Sequence, residues 1–163
     1  MDSLISSTAI ITGAGSGLRM GGDIKKQYRN LDGIPILIRT LGPFFNSPLI
    51  SNIIVTAPEE DIEYCESLIQ QYFDTASKPY LVMTGGLERQ DSVFGALQQC
   101  PEDTALVFIH DAVRPFISIE VIEVLHKIAL KEKAVVPAAR LKNTIKQVSG
   151  DYLEHTLVRD HLV

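Results

Sequence analysis

Apolar positions along this chain follow two alternating rhythms. Short runs that stay apolar on consecutive positions read as strands buried on both faces: Thr8 to Thr12, Asn52 to Ala57 (NIIVTA), Tyr80 to Thr84, Ala105 to His110 (ALVFIH) and Ala134 to Ala138. Between them, apolar residues recur three and four positions apart. Ile34 to Phe45 carries Ile36, Leu37, Ile38 and Leu41 behind Pro35, a favourable first helical residue, and Gly42-Pro43 is expected to end or kink that helix. Glu59 to Phe73 predicts an amphipathic helix with Ile62, Cys65, Ile69 and Tyr72 on one face and acids in its first turn. Arg89 to Gln99 predicts another, with Val93 and Leu97 inward. Ser118 is placed to cap a fourth, running through Lys131 with Ile119, Ile122, Val124 (or Leu125) and Ile128 inward. Thr144 to Val148, a Ser149-Gly150-Asp151 turn and Tyr152 to Arg159 read as a β-hairpin.

Strands alternating with helices predict an α/β fold, a Rossmann-like, mostly parallel sheet with helices on both faces, here with a projecting hairpin arm at about residues 143–160. The chain of 163 residues shows no repeat, low-complexity tract or linker, and residues 1–163 are expected to form one domain. Ligands bind such sheets at the carboxyl ends of the strands. Three segments with chemical character fall there: Gly13 to Lys26, Gly85 to Ser92, and Asp111 to Arg114.

Composition narrows the possible partners. Apolar residues make up 45% and charged residues 21%, ordinary values for a globular protein, and no apolar stretch reaches membrane-spanning length. The opening Met1-Asp2-Ser3 lacks the basic start of a signal peptide. Cys65 and Cys100 lack metal-ligand spacing and read as reduced core residues of a cytoplasmic protein. A net charge of −5 argues against a general nucleic-acid binder. Arg19, Lys25, Lys26 and Arg29 nonetheless cluster with only Asp23 against them, which suits a small anionic ligand or, more plainly, a solvated charged loop.

The loop Gly13-Ala-Gly-Ser-Gly17 follows the first strand directly. A strand ending in glycines lets backbone N–H groups approach a phosphate chain without Cβ clashes. A dinucleotide-binding loop of the short-chain dehydrogenase type would need glycine where Arg19 stands. None of the five tyrosines has the lysine four residues later that those enzymes use. No Gly-Lys-Ser/Thr follows, so the segment is not a P-loop.

From Gly13 to Tyr28, a glycine loop, then Arg19-Met20, then Lys26-Gln27-Tyr28, the chain resembles the sugar-nucleotide pyrophosphorylase-like nucleotidyltransferases. Gly85-Gly86-Leu-Glu-Arg89-Gln-Asp-Ser92-Val, His110-Asp111-Ala-Val-Arg114-Pro-Phe and Asn143-Thr144-Ile-Lys146 match one branch of them. In order and spacing these segments resemble the methylerythritol-phosphate cytidylyltransferases of isoprenoid synthesis. The resemblance implies an enzyme that joins CTP to methylerythritol phosphate with Mg²⁺ and releases pyrophosphate.

It implies catalytic roles for Arg19 and Lys26 on the triphosphate, and wrapping of the nucleotide by Gly13, Ala14, Gly15 and Gly17. Gly86, Arg89, Ser92 and Asp111 would hold the base and ribose, with Asp111 also near the metal. Taken alone, Ser92 reads as a helix cap and Asp111 as a turn cap. Arg114, Thr144 and Arg159 would hold the polyol phosphate, Arg159 by reaching from the arm into the site of a second subunit. A homodimer is therefore expected. His110 is expected to act structurally, since no proton transfer is central to the reaction. Leu87 departs from an aspartate common among relatives, and Gly13 from an alanine. Family members also continue well past Val163, with a further metal-site acid and a substrate lysine. Alternatives are a cytidylyltransferase for another polyol phosphate, such as ribitol phosphate, and a fragment that binds nucleotide without turnover.

Overall fold

The computed structural model describes residues 5–15 and 24–163. Strands β1 (Ser7–Thr12), β4 (Asn52–Ala57), β5 (Tyr80–Thr84) and β6 (Leu106–Asp111) form one parallel sheet in the order β5-β4-β1-β6. Ala9 pairs in register with Ile53 on one side and Phe108 on the other. The long runs of Ile and Val suit a sheet covered on both faces.

The pleat divides those runs between two cores. Ala9, Ile11, Ile53, Val55 and Val82 face a large cluster completed by α1 (Ile36–Asn46), α2 (Ile62–Tyr72) and Ile122 of α4 (Ile119–Glu132). Ile10 and Ile54 face the opposite way, onto Ala96 of α3 (Arg89–Leu97), with Met83 and Cys100 beside them. Helices thus cover both faces, as the alternation predicted.

Several expectations need correction. Helix α1 runs through Pro43 to Asn46. Phe44 is fully buried, and Phe45 stacks on Phe73 with ring centroids 4.1 Å apart, so packing of the last turn outweighs the backbone bond that proline forgoes. Lys78 holds the far end of that helix, donating from Nζ to the carbonyls of Phe44 (2.9 Å) and Ser47 (2.7 Å). Leu68, not Tyr72, joins Cys65 and Ile69 in the buried face of α2. On α3 the buried positions are Ser92 and Ala96, while Leu97 is 41% exposed. Small side chains let this helix lie close against the sheet. On α4, Ile122 and His126 are buried and Val124 and Ile128 are exposed.

The expected fifth strand at Ala134 to Ala138 is irregular chain. Residues 134–137 and the outer side of β6 both line a cavity of ≈ 990 Å³, so no ladder closes between them. Pro137 has no N–H with which to extend one. A small hairpin unforeseen in the sequence joins β2 (Asn30–Leu31) to β3 (Ile34–Pro35). Its turn residues, Asp32 and Gly33, both have positive φ, the reason Asp-Gly suits a two-residue hairpin loop. The arm is formed by β7 (Lys146–Ser149) and β8 (Tyr152–Thr156), turning at Gly150 with φ 57°. Every residue of both arm strands is exposed.

Candidate active site

Four parallel strands end on one edge of the sheet, and three of those ends carry the candidate residues. β1 ends at Thr12 and leads into Gly13. The Gly13 N–H donates to the carbonyl of Thr56 at the end of β4 (2.9 Å) and lies 3.3 Å from its hydroxyl. The Gly13 carbonyl accepts from Gln27 Nε2 (3.1 Å). A Cβ at position 13 would sit 2.9 Å from the Thr56 carbonyl oxygen and 3.1 Å from Ala112 Cβ, so a side chain here would require the ends of β1 and β4 to shift apart.

The loop after β5 closes against it. A Cβ on Gly85 would meet Ala14 Cβ at 2.2 Å and Ser92 Oγ at 2.8 Å. The two glycine loops therefore touch through Ala14 and Gly85. Ser92 does not cap α3. Glu88 and Asp91 form the capping box, and Ser92 sits buried inside the helix, where its Oγ accepts from the Gly86 N–H (2.9 Å). Leu87 beside it is fully exposed.

The end of β6 supplies the charge. Asp111 Oδ1 accepts from Arg89 Nε (2.9 Å) and Thr12 Oγ1 (3.2 Å), and Oδ2 pairs with Arg114 Nε (2.8 Å). Burial pushes the Asp111 carboxyl up, but the hydrogen bond and charge of Arg89, with Arg114 behind them, outweigh it and hold the group below its usual range. Asp111 is thus an ionised carboxylate shared by two guanidiniums. His110 braces the turn that follows: its Nε2 lies 3.0 Å from the Arg114 carbonyl oxygen and its ring tilts against Phe44. Burial lowers the imidazole's basicity, which suits the structural role expected of it.

Lys26 opens a 3₁₀ turn, Lys26–Tyr28. Its neighbour Lys25 is taken up by Glu60 (2.6 Å) and Asp61 (2.7 Å), and Tyr28 packs edge-on against Tyr64 of α2. Among the described residues, the Lys26 ammonium has no hydrogen-bond or ion-pair partner, which leaves it available to a ligand. Arg19 and Gly17, expected in catalysis and phosphate wrapping, lie outside the described residues. Thr144 and Arg159 stand at the base of the arm, where Arg159 Nη1 donates to the Lys142 carbonyl (2.8 Å) and not to the Asp111 group. The structure therefore gathers Gly13, Ala14, Gly85, Gly86, Arg89, Ser92, Asp111 and Arg114, and leaves the arm residues apart.

The family profile described as 2-C-methyl-D-erythritol 4-phosphate cytidylyltransferase matches residues 7–163. The chain belongs to that family. It is 39% identical over 158 residues to the 2-C-methyl-D-erythritol 4-phosphate cytidylyltransferase of Geotalea uraniireducens, covering 95% of this chain and 67% of the relative. To the bifunctional enzyme of Desulfotalea psychrophila it is 37% identical over 157 residues, 96% of this chain and 40% of that one. The crystal structure of 4-diphosphocytidyl-2C-methyl-D-erythritol synthase from Anaerococcus prevotii superposes with a TM-score of 0.79 at 31% identity, covering 95% of this chain and 64% of the other. That of the cytidylyltransferase from Francisella tularensis gives 0.73 at 35% identity, covering 95% and 67%. This cytidylyltransferase-family chain thus spans about two thirds of the length of its single-function relatives and 40% of the bifunctional one.

Thr12, Gln27 and Thr56 were given no role from sequence. Two are threonines at strand ends, a place where hydroxyls cap the next loop. Gln27 stands in the Lys26-Gln27-Tyr28 segment that carries the resemblance, but nothing in the sequence shows what its side chain ties.

Proposed function

We propose that the chain carries the cytidylyltransferase chemistry of its family: a phosphate oxygen of methylerythritol phosphate attacks the α-phosphorus of CTP. One phosphorus–oxygen bond forms, the bond to the β-phosphate bridging oxygen breaks, and pyrophosphate leaves with that electron pair. Such a reaction needs positioning and charge stabilisation more than covalent help. The observation that carries the reading is the contact of the two glycine loops beside an ionised Asp111 and two arginines.

In this reading the Gly13 to Gly17 loop wraps the phosphates, and Lys26 and Arg19 steady charge on the equatorial oxygens. Arg offers a planar fork and Lys a mobile point charge. Gly86, Ser92 and Arg89 frame the cytosine and ribose. Arg114 takes the polyol phosphate together with Thr144 and with Arg159 of a second copy, which makes a cytoplasmic homodimer the working state. Exposed Val148, Tyr152 and Leu153 on the arm support such pairing, since a two-stranded hairpin is marginal alone.

Mg²⁺ belongs to this reading too. Among the described residues no three His, Cys, Asp or Glu side chains gather into a metal set. Asp111, a hard oxygen donor kept ionised, fits the way this cation is bound with one or two carboxylates plus substrate phosphates. When bound, the ion would neutralise phosphate charge, and Asp111 would hold it in exchange for one of its arginines.

The test is pyrophosphate release from CTP and Mg²⁺ with methylerythritol phosphate or ribitol phosphate offered separately. Release with methylerythritol phosphate alone is expected. Lys26→Ala should lower it roughly a hundred- to a thousandfold, the equivalent of about 3–4 kcal/mol. Release with ribitol phosphate instead would keep the chemistry and overturn the substrate.

A further inference from the structure

We propose that Gln27 is a positioning residue that sets the distance between the Lys26 ammonium and the backbone amides of the glycine loop. The inference rests on the functional reading above, and deepens it.

Gln27 is a polar side chain only 2% exposed, and its Nε2 donates to the Gly13 carbonyl at 3.1 Å. Burying an amide is unfavourable unless its bonds are met, so a glutamine at this position is held by what it ties. On its own side it sits in the turn Lys26–Tyr28. That turn is closed by Tyr28 N–H to the Lys25 carbonyl (3.0 Å) and Arg29 N–H to the Lys26 carbonyl (3.3 Å). The turn is anchored to the sheet's helical cover through Lys25 with Glu60 and Asp61, and Tyr28 with Tyr64. On the other side, the Gly13 N–H donates to the Thr56 carbonyl at 2.9 Å, and a Cβ added there would lie 3.1 Å from Ala112 Cβ.

The glutamine amide is thus a strut between two anchored bodies. One carries the cation, and the other starts the loop that wraps the phosphates in the functional reading. Arg19 and Lys26 flank that loop in sequence, but the described structure joins the Lys26 turn to it through this side chain. An error of about 1 Å between two groups that share one triphosphate can cost roughly a hundredfold in rate. A glutamate cannot replace the strut, because an ionised carboxylate offers only acceptors to the Gly13 carbonyl. A methionine keeps the length and the burial without the donor.

Gln27→Met and Gln27→Glu are the variants to compare with the parent protein. Two measurements are made on each. Without nucleotide, hydrogen exchange at the Gly13 amide is followed against the Ile10 and Ile11 amides inside β1. With CTP, Mg²⁺ and methylerythritol phosphate, kcat and both KM values are measured.

The expected result is faster exchange at Gly13 with β1 unchanged. It comes with kcat roughly tenfold or more lower and KM raised for CTP but not for the polyol phosphate. A merely structural residue would lower the folded fraction, speed exchange throughout β1 and leave both KM values alone. That pattern, or unchanged Gly13 exchange and unchanged kinetics, overturns the proposal. If the parent protein neither binds CTP nor releases pyrophosphate, the functional reading fails. The strut itself is then decided by the exchange data: selective loss of Gly13 protection sustains it, and retained protection overturns it.

Discussion

At Asp111 one carboxylate satisfies two guanidiniums and a threonine hydroxyl, and the sign of its pH dependence follows from that. Its carboxyl is held below the usual range despite burial, so the folded state favours the ionised form. The contribution is fully present above the unfolded-state value near pH 4 and is lost as pH falls through the lower folded value. Thermal melts of the parent and Asp111→Asn should therefore differ by a constant amount near neutrality and converge below about pH 4. A gap that widens on acidification would contradict the pairing. Gly85 gives a second residue-level expectation. An added methyl 2.2 Å from Ala14 Cβ must part the two loops, so Gly85→Ala should cost about 1–3 kcal/mol in a denaturant titration and weaken CTP binding as well. At this scale the sequence placed Gly13, Gly85, Arg89, Asp111 and Arg114 at strand ends, and the structure brings those ends to one edge of the sheet. The roles of Thr12, Thr56 and Gln27 were not legible, because a buried polar side chain is defined by a partner distant in sequence.

Helix α1 shows what periodicity leaves out at the scale of elements. Its apolar stripe announced the helix, yet Gly42-Pro43 pointed to an end or a kink, and burial of Phe44 and Phe45 carries the helix on past that point. The C-terminal carbonyls of that helix are met from Lys78, more than thirty residues on, a partnership no local pattern reveals. Lys78→Met, which keeps the apolar stem and removes the ammonium, should destabilise the protein by about 1–3 kcal/mol by leaving those carbonyls unpaired. Chemical denaturation of the variant checks this, and an unchanged midpoint would mean that water replaces the lysine. Helix α3 misled in the opposite direction. Leu97 drew the inward assignment, but the face against the sheet is Ser92 and Ala96, since closeness of approach there mattered more than apolar area. The Ala134 to Ala138 segment had strand-forming residues but does not pair with the open edge of β6, so composition alone overstated it.

For the molecule as a whole, strand alternation and the arm were readable because a parallel sheet needs continuous apolar runs and a hairpin needs a turn of Ser-Gly-Asp type. The arm's exposed apolar positions carry a prediction of their own. Leu153→Glu should shift sedimentation of the protein toward the monomer and lower turnover while leaving the melting temperature nearly unchanged, since Leu153 is exposed in the single chain. A dimer that survives the change would move the interface elsewhere.

The position of β1 between β4 and β6 has a consequence for how the chain acquires its shape. Ser7 finds its pairing partner Leu106 about a hundred residues later, and Gly13 is not fixed until Thr56 arrives. Contacts of such long sequence separation are slow to form, because loop closure comes before its reward. During synthesis, the first strand to emerge therefore gains its second neighbour only with the last strand of its sheet. Gly13 and Ala14, which follow β1, gain their contacts with Thr56 and Gly85 only once β4 and β5 are in place.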